Sequence, residues 1–309
     1  MTVKILVTPR TFGKSDPVPL AMLEEAGCEI VRNPHGRVMT EEEMVAMVQG
    51  VDGIIVGLDP VTKKVIDSGG SLRAVSKYGV GVNNIDIDYA VSKGIKITNT
   101  PGANSAAVAE HTIGLLLSVC RHIATSDREI RQGKWTQHPG FQLEGKTMGI
   151  VGTGQIGRQV AERAKGLRMS VLCYDIYPDG FWAKKAGVAY CSFNELLERS
   201  DFVSLHVPLV DVTYHMISVN QLARMKKNSI LVNTARGGII DENALYDALV
   251  NNVIAGAALD VFENEPVEDS PLKELDNVVM TSHIGAHTLE AVQNMGRMAV
   301  SNLLESLGI

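Results

Sequence analysis

The run Gly152-Thr-Gly154-Gln-Ile-Gly157 constrains this chain more than any other stretch of it. The apolar residues 148–151 before it read as a strand, and 155–167 after it as a helix. A second strand over 170–174 leads to Asp175, near the roughly 20-residue spacing at which an acidic residue accompanies such a loop. Each glycine has a physical task. Gly152 permits the tight turn, Gly154 puts no side chain in the way of a pyrophosphate, and Gly157 lets the helix close on the strand. The amides of Gln155 and Ile156, at the start of the helix, are turned toward an anion. Asp175 can accept hydrogen bonds from ribose hydroxyls and would repel a 2′-phosphate, which predicts NAD rather than NADP as cofactor.

Short β-branched runs alternate with amphipathic ones through the whole chain, the pattern of an α/β fold. A first block carries strands over 3–8, 29–32, 53–56, 74–76 and 95–98, with helices over 19–26, 41–49, 62–68 and 87–93. Thr40 caps the second of these helices, and acidic residues fill its first turn, where the helix dipole favours them. One long helical stretch is expected from Ser105 to about Gln132, then a loop over 133–145. The second block has strands over 147–151, 170–174, 202–205, 230–233, 256–259 and 278–280, and a closing helix over 289–307.

A length of 309 residues suits two domains. The net charge of −6 argues against a general nucleic-acid binder. No apolar run approaches the roughly 18 residues of a membrane span, and the N-terminus lacks a signal-peptide pattern. Cys28, Cys120, Cys173 and Cys191 are scattered, with no CxxC pair, so neither a disulfide framework nor a metal site is expected and a cytoplasmic setting is the default.

Three later segments follow predicted strands, which puts them at the carboxyl edge of a parallel sheet, where ligands bind. Residues 230–238 deliver Arg236, whose planar fork suits a carboxylate. Residues 257–266 deliver Asp260, Glu263 and Glu265, and residues 279–288 deliver His283. Taken singly, a surface Arg, a solvated acid or a structural His is the commoner case. Together they fit a proton-transfer pair beside a carboxylate clamp.

These motifs recur in a recognisable order: Gly152 to Gly157 with Asp175, His206-Val-Pro208-Leu, Asn233-Thr-Ala-Arg236-Gly, Ala258-Leu-Asp260-Val-Phe-Glu263-x-Glu265-Pro and His283-Ile-Gly. With residues 77–86 and 99–116 they make the chain resemble the NAD-dependent D-isomer-specific 2-hydroxyacid dehydrogenases, most closely their phosphoglycerate dehydrogenase branch. The resemblance implies two Rossmann-like, doubly wound parallel-sheet domains, with a cofactor domain over 99–284 inserted into a substrate domain made of 1–98 and 285–309. It implies a cleft at their junction. The helix near Ser105 becomes a hinge and homodimer element, its small residues Ala106, Ala107, Ala109 and Gly114 permitting close packing.

The same resemblance assigns roles. Arg236 binds the substrate carboxylate and C2 oxygen, His283 exchanges the C2 hydroxyl proton as hydride moves, and Glu265 holds the other imidazole nitrogen. Asp260 contacts the carboxamide end of the nicotinamide. His206, Pro208, Thr213, Thr234 and Ala235 line the dinucleotide, which Arg236 and His283 also face. Val80 and Gly81 offer amides to the substrate carboxylate, and Lys77 offers charge to a phosphate. Two positions depart from the pattern: Ser282 stands where many relatives have Pro, and Lys77 where phosphoglycerate dehydrogenases often have Arg. The chain stops soon after His283, leaving no room for the C-terminal regulatory domain of some relatives. The expected substrate is 3-phosphoglycerate; the alternatives are hydroxypyruvate, glyoxylate or another D-2-hydroxy acid, or a non-catalytic NAD-sensing corepressor. No metal, nucleic-acid or membrane partner is expected.

Overall fold

The computed structural model describes residues 2–309. The chain divides into two compact units. One holds the chain up to Asn104 together with His287–Ile309, and the other is Ser105–Ala286.

The first unit is a five-stranded parallel sheet. Its strands are β1 (Lys4–Val7), β2 (Glu29–Arg32), β3 (Gly53–Val56), β4 (Ala74–Lys77) and β5 (Lys96–Thr98), in the order β2-β1-β3-β4-β5. β3 reads Gly-Ile-Ile-Val and is buried along its whole length, as expected of a parallel strand covered on both faces. The helices start where capping residues stop the backbone amides from going unpaired. Thr40 and Glu43 form a reciprocal capping box, and Thr62 and Asp86 cap the next two helices. The closing helix Leu289–Leu307 returns to this unit and packs Ala299, Val300 and Leu303 against Ile5, Ile55 and Ala74.

The second unit is a seven-stranded parallel sheet. Its strands are β6 (Thr147–Val151), β7 (Ser170–Tyr174), β8 (Ala189–Tyr190), β9 (Phe202–Leu205), β10 (Ile230–Asn233), β11 (Gly256–Leu259) and β12 (Val278–Met280). Their order, β12-β11-β10-β9-β6-β7-β8, changes direction between β6 and β9. The crevice outside the carboxyl ends of strands at such a switch point is where open α/β sheets bind ligands. The two sheets bear out the expected doubly wound α/β architecture.

The long helix expected from Ser105 is two helices, Ser105–Cys120 and Ile123–Arg131. His122 between them is left-handed, at φ 53°. The cause is tertiary. The amide of Phe141 bonds the Cys120 carbonyl at 2.8 Å, and a Cβ at Gly140 would lie 2.3 Å from that oxygen. A crossing segment thus takes the carbonyl that would have continued the helix. Among the described residues no helix is long and apolar enough to cross a membrane.

Candidate active site

The switch-point loops of the second unit come from β6 and β9. Gly152 follows β6 at φ 94°, and a Cβ there would lie 2.5 Å from the His206 carbonyl oxygen. A Cβ at Gly157 would lie 2.0 Å from the Gly152 oxygen. The protein's own packing therefore demands both glycines. Gly154 is different, because a Cβ there meets nothing within 4 Å. It is the N-cap of the helix Gln155–Gly166, and no side chain caps that helix. An open cradle before uncapped amides, in the field of a helix N-terminus, suits an anion. The residues present fit the pyrophosphate of a dinucleotide.

Asp175 stands just past β7. Its Oδ2 accepts the Thr153 amide at 2.7 Å and the Thr153 hydroxyl at 2.9 Å, and its Oδ1 accepts the Tyr177 amide at 2.9 Å. Burial works to raise this carboxyl, but the hydrogen bonds from Tyr177 and Thr153 outweigh it and hold the group below its ordinary value. His206 follows β9, with Nε2 2.8 Å from Ser204 Oγ. Burial pushes its imidazole down to about 3, so the ring is neutral at physiological pH. Thr213 accepts the Val210 amide at 2.8 Å and donates to the Pro208 carbonyl at 2.6 Å, which folds the 208–213 loop on itself.

β10 ends in a turn wrapped around Asn233. Its Oδ1 accepts the Ala235 amide at 3.0 Å, and its Nδ2 donates to the Arg236 carbonyl at 2.7 Å. Gly237 comes next, where a Cβ would lie 1.9 Å from the Phe262 carbonyl. The Arg236 turn is thus pressed against the backbone that leads to Glu265. The Thr234 hydroxyl points away, to Thr112 Oγ1 at 2.8 Å on the helix Ser105–Cys120. Burial lowers the Arg236 guanidinium from its ordinary value and Glu265 works to raise it, but an arginine stays charged throughout the physiological range.

His283 lies beyond β12, its Nδ1 2.7 Å from Glu265 Oε2. A carboxylate only accepts, so Nδ1 carries the hydrogen and Nε2 is left to exchange a proton. The second Glu265 oxygen accepts the Phe262 amide at 3.0 Å, which fixes the carboxylate. His283 is left-handed, at φ 54°, a conformation that persists only when its surroundings impose it. Asp260 imposes it. Its carbonyl accepts the His283 amide at 2.9 Å, and its carboxylate accepts the amides of Ile284 and Gly285, each at 2.8 Å, and the Thr281 hydroxyl at 2.6 Å. His111 Nε2 approaches Asp260 at 3.3 Å and Thr281 Oγ1 at 3.0 Å.

Asp260 is 1% exposed. Burial alone would raise its carboxyl, but hydrogen bonds from His111, Thr281 and the two amides bring it below its ordinary value. The residue expected at the nicotinamide has its carboxylate bonded into the loop that bears His283. The roles of His111, Thr281 and Gly237 escaped sequence reasoning because their partners lie on other elements, and that of Asn233 because its bonds to Ala235 and Arg236 exist only once the turn has formed. Only the sequence neighbourhood of Arg236 and His283 pointed toward them.

In the first unit, Gly79 follows β4 at φ 141°. Its amide and carbonyl pair with Thr100, each at 3.0 Å, and the Val80 carbonyl accepts Asn99 Nδ2 at 2.7 Å. The Val80 and Gly81 segment is therefore held from outside. Lys77, expected to offer charge to a phosphate, is buried. It is 4% exposed, and its ammonium donates to the Gly57 carbonyl and to Asn84 Oδ1, the latter at 2.7 Å. Asn84 Nδ2 in turn donates to the carbonyls of Gly57 and Asp59, at 3.1 and 2.6 Å. A buried ammonium needs such partners, because leaving it unpaired is costly. Among the described residues no group of three or more His, Cys, Asp or Glu side chains is arranged to hold a metal ion.

A dinucleotide cradle and a His–Glu pair on one parallel sheet define the class, an NAD-dependent oxidoreductase. The sequence profile described as "D-isomer specific 2-hydroxyacid dehydrogenase, NAD binding domain" matches residues 113–285. The chain is 42% identical to a D-3-phosphoglycerate dehydrogenase of Methanocaldococcus jannaschii, over 99% of this chain and 57% of that protein. It is 44% identical to a glyoxylate reductase of Korarchaeum cryptofilum, over 86% of this chain and 82% of that one. Among solved structures, the TT0316 protein from Thermus thermophilus superposes with a TM-score of 0.90 at 36% identity, covering 99% of this chain and 97% of the other. The chain belongs to the D-isomer-specific 2-hydroxyacid dehydrogenases, and its cofactor is NAD. It spans little more than half the length of the Methanocaldococcus relative.

Proposed function

We propose that this protein interconverts a D-2-hydroxy acid and its 2-oxo acid, with 3-phosphoglycerate as substrate. The observation that carries the reaction is the His283–Glu265 pair, with Nδ1 committed to the carboxylate at 2.7 Å. Bound NAD supplies the hydride acceptor, or NADH the donor, at its nicotinamide ring. Arg236 grips the substrate carboxylate and polarises the C2 oxygen. His283 Nε2 takes the C2 hydroxyl proton in oxidation and returns it in reduction. Glu265 orients the ring and balances the imidazolium as it forms. The Val80 and Gly81 amides are further donors to the substrate carboxylate. The cradle at Gly154 seats the pyrophosphate, Asp175 the ribose, and the 206–213 loop with Ala235 flanks the dinucleotide.

The phosphoglycerate reading leans on the relative that matches along 99% of this chain. A second reading, reduction of a short unphosphorylated acid such as glyoxylate or hydroxypyruvate, is favoured by the burial of Lys77. With Lys77 buried, Arg10, exposed in the loop after β1, is a cation open to a phosphate. A homodimer built through the helix Ser105–Cys120, a cytoplasmic location and a place in serine formation complete the proposal. Of the small residues on that helix, Ala106 and Gly114 are exposed and open to a partner, whereas Ala107 and Ala109 are buried.

Turnover with NADH across phosphohydroxypyruvate, hydroxypyruvate, glyoxylate and pyruvate tests the assignment. The highest kcat/KM falls on phosphohydroxypyruvate if the first reading holds and on glyoxylate or hydroxypyruvate if the second does. NADH binding without turnover on any of the four overturns both and leaves an NAD-sensing role. Sedimentation at micromolar concentration tests the dimer, which a 33.3 kDa species alone would exclude.

A further inference from the structure

We propose that Tyr190 and Thr153 are positioning residues for cofactor choice: a hydrogen-bond relay from Asp179 through Tyr190 and Thr153 sets the Asp175 carboxylate to take the ribose hydroxyls of NAD and refuse the 2′-phosphate of NADP. The inference rests on Asp175 being the ribose reader.

The direction of every bond in the relay is determined. Asp175 Oδ2 is a carboxylate oxygen and can only accept, so the Thr153 hydroxyl, 2.9 Å away, donates to it. With its proton spent, Thr153 Oγ1 must accept from the Tyr190 hydroxyl at 2.7 Å. The Tyr190 oxygen then accepts the Asp179 amide at 3.2 Å. Amide, phenol and hydroxyl thus donate in one sense toward the accepting carboxylate, each bond polarising the next toward the negative charge. Thr153 is 3% exposed, so water does not compete for its hydroxyl.

A second arm closes the circuit. Arg158 Nε donates to the Thr153 carbonyl at 2.9 Å, and its guanidinium pairs with Asp179 Oδ2 at 2.9 Å. The guanidinium lies 4.9 Å from the centre of the Trp182 ring, which meets Tyr190 edge-on at 6.3 Å. Both arms run from Thr153 to Asp179. Two results follow. Asp175 accepts two bonds at Oδ2 from Thr153 and one at Oδ1 from the Tyr177 amide, so its plane is set while Oδ1 keeps a lone pair for a ribose hydroxyl. The cation of this corner, Arg158, is engaged by Asp179 and Trp182, so the charge that would attract a 2′-phosphate is already balanced.

Tyr190 is the second residue of the two-residue strand β8, and Thr153 stands between the first two glycines of the loop. Neither position is demanded by the cradle itself. The relay explains why a hydroxyl stands at each.

The test is binding of NADH and NADPH, followed by nicotinamide fluorescence, for wild type, Tyr190→Phe, Thr153→Val, Thr153→Ser and Asp175→Ala, with Tm measured for each. One lost hydrogen bond predicts a fall in the NADH-over-NADPH preference of about 3- to 10-fold in Tyr190→Phe and a larger fall in Thr153→Val. Thr153→Ser, which keeps the hydroxyl, retains the preference, and kcat at saturating NADH stays at the wild-type level in Tyr190→Phe. Equal weakening of both cofactors, or an unchanged preference in a folded Tyr190→Phe, overturns the relay. If Asp175→Ala abolishes the preference while Tyr190→Phe keeps it, only the relay fails. If Asp175→Ala itself leaves the preference intact, the ribose reading beneath it fails.

Discussion

Gly154→Ala separates what the cofactor needs from what the fold needs. The added Cβ meets nothing within 4 Å, and the backbone at φ −66°, ψ −166° is open to alanine. Loss of conformational freedom in the unfolded chain stabilises the variant by about 0.4–1 kcal/mol. Alanine is a poorer N-cap than glycine, which costs a similar amount. The expected net change in stability is under about 1 kcal/mol. Binding behaves differently, because the methyl group fills the cradle before the amides of Gln155 and Ile156. Overfilling a packed contact costs about 1–3 kcal/mol. That raises the NADH Kd by about 5- to 150-fold. Gly157→Ala provides the contrast. Its Cβ would lie 2.0 Å from the Gly152 carbonyl, so the loop must move before any ligand arrives. That variant is expected to lose about 3 kcal/mol or more of stability together with NADH affinity. Urea unfolding and NADH fluorescence titration measure the two quantities side by side. A Gly154→Ala protein that binds NADH like wild type would refute the placement of the pyrophosphate at this helix.

Lys77→Met removes the ammonium that joins Gly57 to Asn84. It should raise KM about equally for phosphorylated and unphosphorylated substrates, and a loss confined to the phosphorylated one would make Lys77 the phosphate partner after all. His283→Ala should lower kcat by about 10²–10⁴ with NADH affinity retained, whereas Arg236→Ala should impair both KM and kcat. Equal NADH-binding loss in the two variants would place them together in the cofactor site. Asp260→Asn leaves an amide of the 284–285 turn facing a donor, at a cost of about 1–3 kcal/mol. Because the folded Asp260 carboxyl sits below its ordinary value of 3.8, its contribution is complete above that value and is lost as pH falls through the folded one. The Tm gap between wild type and Asp260→Asn should therefore be full at neutral pH and close in acid; a gap that widened on acidification would contradict the hydrogen-bond pattern drawn for Asp260.

Local chemistry was enough for the longer parallel strands and the glycine loop. A strand buried on both faces is a continuous apolar run, a helix start wants Thr, Ser or Asp, and a turn at φ 94° wants glycine, so β9, β10 and the Gly152–Gly157 loop are written in adjacent residues. The same is true of Arg236 and His283, each at the end of a legible strand. The strand β8 went unread, because two residues carry too little periodicity, and so did the helix Gly180–Ala186. Other features depend on groups far apart in the chain. The helix after Ser105 breaks because residues 140–141 reach the Cys120 carbonyl. Lys77 turns inward because Gly57 and Asn84 supply its acceptors. Asp260 serves the His283 loop because four donors from 281–285 and His111 converge on it. A charged side chain goes where its hydrogen bonds can be completed, and the position of those partners exists only once the sheet has formed.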